Sequence, residues 1–307
     1  MATEKVDEAT ASQLQAATPK RLTRRQLIIR RFFRNKSAVF GLILFAVIVI
    51  VALFGNSFNQ WQYTSIDPGQ YLKAPDATHW FGTNKQGRDV FAMTVEGLRK
   101  SIIIGLAVAF IQTSIAAIVG STAAYFGGWV DKVETWFIDL LLVIPSFLII
   151  AIISQRLSGE TSSTLMFIVL LAAFGWMMTA RVVRSLTMSL KGLDYVTAAK
   201  YMSVPSWTII MRHILPNISS LLIIDFTLGV VSAVLSETSL SYFGFGVKEP
   251  QVSLGSLIAA GQPSALTYSW LFVPPALVLV ALLASINFIG DGLRDALDPS
   301  SQSGGKA

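Results

Sequence analysis

The sequence contains no cysteine and only two histidines among its 307 residues. The first absence excludes disulfides, cysteine-bound metals and a thiol nucleophile. The second leaves no pair of ligands with metal-site spacing around His79. Charge is also scarce, at 14% of residues against 53% hydrophobic, with a mean hydropathy of +0.59; this is too apolar for a water-soluble domain of this length. No G-x-x-x-x-G-K-[ST] phosphate loop occurs, so the chain carries no nucleotide site of that kind. The net charge of +6 comes from basic residues clustered beside apolar segments, which membrane orientation explains better than nucleic acid does.

What the chain does have is long apolar runs. Six stretches approach the roughly 20 residues that cross a bilayer as a helix: about 38–54, 102–126, 135–154, 164–180, 217–240 and 270–290. Lys20, Arg21, Arg24, Arg25, Arg30, Arg31, Arg34 and Lys36 precede the first, which the positive-inside rule places in the cytoplasm. Six spans return the C-terminus to that side. Alternation puts residues 181–216 inside as well, with Arg181, Arg184, Lys191, Lys200 and Arg212. The first run exceeds a signal peptide's ~7–15 apolar residues and lacks an A-x-A site, so it is expected to remain attached. Residues 1–19 read as a disordered polar tail.

The 181–216 segment is too long and too patterned for a plain connector. A helix is predicted from Asp194 to near Ser203, with Pro205 opening a second. That second helix would place Trp207, Ile210, Met211 and Ile214 on one face, turn Arg212 and His213 away, and stop at Pro216 before span five.

These residues resemble the inner-membrane subunits of ATP-binding-cassette importers, whose loop reads E-A-A, three residues, Gly, about nine residues, then I-x-L-P. Ala198, Ala199, Ile214, Leu215 and Pro216 fit; Thr197 replaces the Glu and Ser203 the Gly. A Gly there would permit a left-handed backbone that serine tolerates less well. The chain is further similar to the oligopeptide, dipeptide and nickel branch of these permeases, through RRFFRNKSAVFGL at 30–42, HWFGTNKQGRDVF at 79–91, YFGGWVDKVETWFIDLLLVIP at 125–145, LSYFGFGVKEP at 240–250 and FIGDGLRDALDP at 288–299. The resemblance implies a coupling helix at about 195–206 that seats in a groove of a cytoplasmic ATPase. Tyr195, Thr197, Ala198, Ala199, Lys200, Ser203 and Pro205 would belong to it, with Pro216 closing the loop. Leu157, Ser158, Gly159 and Glu160 resemble the ATPase signature only superficially, because they fall in a predicted outer turn.

Polar groups inside spans are costly and therefore functional candidates. Asp225 lies roughly 13 Å past Pro216 along a helix. It would either face the translocation path, attracting an ammonium or other cation, or bond to a neighbouring span. Asp139 and Glu237 lie nearer span ends and read as structural. Pro145 should kink span three. The small residues of span two, among them Gly105, Ala116, Gly120 and Ala124, predict close packing at the bundle centre or against a partner. His79 reads as structural.

The expected fold is an all-α membrane protein with six transmembrane helices and a cytoplasmic coupling-helix loop, of the type I importer permease class. Residues 1–36 would form a basic cytoplasmic tail, 37–100 the first span and outer loop, 101–296 the five-helix core with its loop at 181–216, and 297–307 a second tail. The resemblance implies a peptide-translocating permease subunit of the bacterial plasma membrane, with both termini cytoplasmic. Its partners would be a homologous second permease, two cytoplasmic ATP-binding subunits, an extracytoplasmic solute-binding protein and membrane lipid. No cofactor is expected on this chain, ATP and magnesium being bound by the ATPase subunits. Nickel or another small solute is the alternative cargo. A secondary transporter would show related halves with broken helices, and a membrane enzyme convergent catalytic groups; neither pattern is visible.

Overall fold

A computed structural model describes residues 23–156 and 163–297. The tetrad at 157–160 and the polar tail at 1–19 lie outside the described residues. Helix α1 (Arg24–Arg34) starts at a capping box between Thr23 and Gln26. Asn35 ends it in extended backbone and caps α2 (Lys36–Phe54), its Oδ1 accepting from the Ser37 and Ala38 amides. Large apolar side chains recur on one side of α2, at Phe40, Ile43, Val47 and Ile50, and are exposed; Ala38, Gly41, Ile48 and Ala52 are buried. In lipid the exposed set is already in an apolar solvent, so packing of the small-residue side holds the helix in the bundle.

The central element is α3 (Val90–Phe126), 37 residues and so roughly 55 Å long, more than a ~30 Å hydrocarbon core. It begins well before the predicted span. Asp89 caps it by accepting from the Ala92 amide at 2.7 Å, and Glu96, Arg99 and Lys100 had diluted the hydropathy of its first turns. As its small residues predict, α3 packs at the centre, against α4 (Gly128–Val143), α6 (Ser163–Gly175), α7 (Met177–Leu190) and α10 (Leu215–Tyr242). A Cβ added at Gly120 would lie 2.3 Å from the Ala180 carbonyl, so this crossing requires glycine.

Spans three and four are broken helices. At Pro145, α4 turns by 73° into α5 (Ser146–Arg156); Ile144 is extended, as the residue before proline prefers. At Trp176, α6 bends 45° into α7. Here no proline acts. Gln112 of α3 donates to the Leu171 carbonyl at 2.8 Å, and its amide occupies the space a side chain on Gly175 would need. Among the described residues there are thus four long apolar helices, or up to six spans if each bent pair counts as one.

After α7 come α8 (Asp194–Tyr201) and a continuous rod, Ser206–Tyr242, made of α9 (Ser206–Ile209), a π-helical turn (Ile210–Ile214) and α10. Pro216 therefore does not stop the helix. In the wide π turn the Leu215 amide reaches the Ile210 carbonyl, five residues back, and the proline follows at the start of α10 without breaking the rod. The predicted third outer loop contains α11 (Leu254–Gly261), capped by Ser253, and α12 (Val273–Leu297) completes the fold. Among the described residues there is no strand, only two isolated bridges, Ile66 with Arg88 and Thr83 with Asp89.

Candidate functional site

The segment between α7 and α10 forms a miniature core of its own. Val196 and Ala199 of α8 pack on Ile209, Ile210 and Ile214, all buried. The second helix therefore buries a different face from the one predicted. Ile210 and Ile214 point inward, but Trp207 and Met211 are exposed, and Ile209 takes the inner place. The π turn shifts the register that a regular helix would have given.

Helix α8 ends in a Schellman motif. The Ser203 amide donates to the Lys200 carbonyl at 3.1 Å and the Val204 amide to the Ala199 carbonyl at 3.2 Å. Ser203 has φ +58°, the left-handed conformation for which glycine is better suited. Pro205 precedes α9 with extended backbone. The Tyr195 hydroxyl accepts from Asn217 Nδ2 at 3.1 Å, and that amide also donates to the His213 carbonyl at 2.6 Å, tying α8 to the start of α10. Of the predicted residues, Ala199 is buried inside the loop and Thr197 is half-buried, whereas Tyr195, Ala198, Lys200, Ser203, Pro205 and Pro216 are exposed.

Tyr201 and Met202, 86% and 71% exposed, share this surface with Trp207. Sequence reasoning missed them. The available signal was that Tyr201 falls opposite Val196 and Ala199 on a helix too short to bury both sides, with Met202 capping its end.

The segment is anchored to the bundle. Arg184 of α7 makes two contacts with Asp131 of α4, Nε–Oδ1 at 2.5 Å and Nη2–Oδ2 at 2.6 Å. Arg181 pairs with Asp139, and Lys191 Nζ donates to the Ala124 carbonyl at the end of α3, at 2.7 Å. Basic residues that marked membrane sidedness in the sequence thus also serve as ties between helices.

Asp225 lies in α10, half-buried. Its two carboxylate oxygens accept from Thr113 of α3 at 3.2 Å and Thr179 of α7 at 2.7 Å. Thr113 also lines a groove with Ser219, Ile223 and Phe226. Further along, a cleft of about 380 Å³ is lined by Gln112, Ser146, Phe147, Ser232, Ser236 and Ser239. Glu237 is fully buried; its Oε1 accepts from Ser241 and from the α11 cap Ser253, both at 2.6 Å.

At the far end of α3, His79 is buried between Asp89 (2.9 Å) and Asp67 (3.3 Å) and stacks on Trp61 at 4.8 Å. Asp89 also accepts from Asn59. Lys73, Thr78 and the His79 amide hold the Asp76 carboxyl well below the usual carboxylate range. Among the described residues no group of three or more acidic or histidine side chains is placed to hold a metal ion.

Residues 114–302 match the family described as "Binding-protein-dependent transport system inner membrane component", and residues 23–75 match "N-terminal TM domain of oligopeptide transport permease C". The oligopeptide transport system permease protein OppC of Mycobacterium tuberculosis is 48% identical over 282 residues, 92% of this chain and 96% of that protein. The proteins of the same name from Haemophilus influenzae and Bacillus subtilis are 38% and 34% identical, over 89% and 95% of this chain and 88% and 94% of theirs.

Proposed function

Since the chain belongs to the family of binding-protein-dependent transport system inner membrane components, we propose that it works as the peptide-translocating permease subunit of an ATP-binding-cassette importer, with its α8–α9 segment as the part that receives the ATPase stroke. It is a multi-pass membrane protein and a transport subunit, and ATP hydrolysis belongs to partner chains. Peptide is favoured over nickel chelates by the names of its relatives.

The observation that carries the coupling role is the loop's construction: a small apolar core fixes α8 rigidly while Ala198, Lys200, Tyr201 and Met202 stay exposed. Ala199 and Thr197 then shape the element from within, and Ser203 and Pro205 set its bend. Tyr195 fastens it to α10 through Asn217, so closure of two cytoplasmic ATPase subunits on Mg-ATP would move α10 with it. Pro216 sits at that junction. In this arrangement both termini are cytoplasmic, the 37–100 segment provides the first span and an outer surface for a solute-binding protein, and a homologous permease completes the path. Asp225, with its Thr113 and Thr179 partners, sits on that path and attracts the peptide's ammonium group.

The test is reconstitution of the complete importer in vesicles with ATP. Lys200→Glu and Met202→Asp should each lower peptide-stimulated ATP hydrolysis at least several-fold while the complex still assembles. Asp225→Asn should lower uptake while leaving hydrolysis in place. Unaltered stimulation in both loop variants would remove the coupling assignment, and unchanged uptake by Asp225→Asn would remove the pathway one.

A further inference from the structure

We infer that α1 is a binding site for anionic phospholipid in the leaflet where it lies, which is the cytoplasmic leaflet on the orientation proposed above. The helix Arg24–Arg34 contains no acidic residue, and three of its rows bear on lipid, with the exposed Leu27 and Arg31 lying along the edge of the cationic one. Ile28 and Phe32 face the protein, packed with Ile289, Leu293 and Ala296 of α12. Ile29 and Phe33, one turn apart and beside them, are 57% and 59% exposed. Arg30 and Arg34, also one turn apart, come next round the helix, and both are exposed. Apolar and cationic rows lying side by side along an interfacial helix match the boundary between acyl chains and headgroups, where one row is buried in hydrocarbon and the other meets phosphate.

Placement supports this occupant. Only Asn35 separates α1 from the membrane-crossing α2. Asn35 caps α2 with its Oδ1 and donates through Nδ2 to Asp295 of α12 at 3.0 Å, so the junction is fixed on two sides. The helix is thus held where its span enters the bilayer, and Lys36 adds an exposed charge at the same level. Phosphate esters of the inner leaflet are the anions complementary to this basic row.

The experiment uses the full chain in nanodiscs and follows amide hydrogen exchange of residues 26–34. In discs containing phosphatidylglycerol, exchange should slow on the order of tenfold relative to phosphatidylcholine alone. High salt should reverse the effect. Arg30→Gln/Arg34→Gln and, separately, Ile29→Ser/Phe33→Ser should abolish the difference while exchange in α12 stays unchanged. Equal exchange in the two lipids overturns the proposal. So does equal slowing by inorganic phosphate in phosphatidylcholine discs, which would make the ligand a soluble anion, or slowing that needs added ATPase subunits, which would make α1 a protein contact.

Sidedness is read separately. The chain has no cysteine, so Gln26→Cys gives a single reactive thiol. Its labelling by an impermeant maleimide from outside intact cells would overturn the orientation and the inner-leaflet assignment, whatever the discs give.

Discussion

Residues 191–214 and residues 56–89 lie at opposite ends of α3, and different forces hold them. The first segment is organised by buried aliphatic groups, Val196 and Ala199 against three isoleucines. The second is organised by hydrogen bonds around an imidazole, with Asp89, Asp67 and Asn59 converging and Trp61 stacked on the ring. Aliphatic packing loses stability in proportion to the volume removed. A buried polar network instead loses most when one member is deleted, because the remaining group stays desolvated without its partner. The two segments should therefore fail under opposite substitutions.

Ile210→Asp should have the largest effect. A carboxylate among Val196, Ala199 and Ile214 has no cation to meet, and a cost of about 4 kcal/mol or more is expected, seen as lost uptake and a lower unfolding temperature in detergent. The same isoleucine changed to valine should cost only about 1 kcal/mol. At the other end, His79→Ala should cost about 3 kcal/mol, since it strips the buried Asp89 carboxylate of its imidazole. If His79→Ala were as mild as Ile210→Val, the contrast between the segments would collapse.

Ser203→Gly should act in the opposite direction. Relief of the left-handed strain at φ +58° should stabilise by about 0.5–1 kcal/mol, raising the unfolding temperature by a few degrees at most. The smallest effect concerns pH. Asp76 has a folded pKa depressed below its ordinary 3.8, chiefly through Lys73, so its contribution is present above that value and is lost as pH falls through the folded one. Protection of the Thr78 and His79 amides, taken relative to their intrinsic exchange, should fall below about pH 4, while that of residues 194–204 does not follow.

Much of this arrangement was legible because it is local. Ala198, Ala199, Leu215 and Pro216 located the loop, Pro145 announced the break in span three, and the small residues of span two foretold a crowded centre. The failures each have a cause. Hydropathy hid the first turns of α3 behind Glu96, Arg99 and Lys100, although Asp89 was a visible cap. The rule that proline ends a helix assumes α geometry, and the π turn before Pro216 is set by how Ile209, Ile210 and Ile214 pack. The bend at Trp176 depends on Gln112, which is remote in the chain from Leu171. Asp225 shows the same limit: Thr113 and Thr179 are 112 and 46 residues away, and no spacing in a single sequence joins them.

The unbroken course of α3 has a mechanical consequence. Its neighbours in spans three and four are jointed, at Pro145 and at Trp176, whereas α3 runs without interruption from Val90 to Phe126. One tip is bolted to the His79 cluster through Asp89, and the Ala124 carbonyl near the other is gripped by Lys191. A strut clamped at both ends cannot absorb an axial push by folding at a hinge. The element that joins Asp89 to the neighbourhood of Lys191 and the first turn of α8 therefore has no joint of its own.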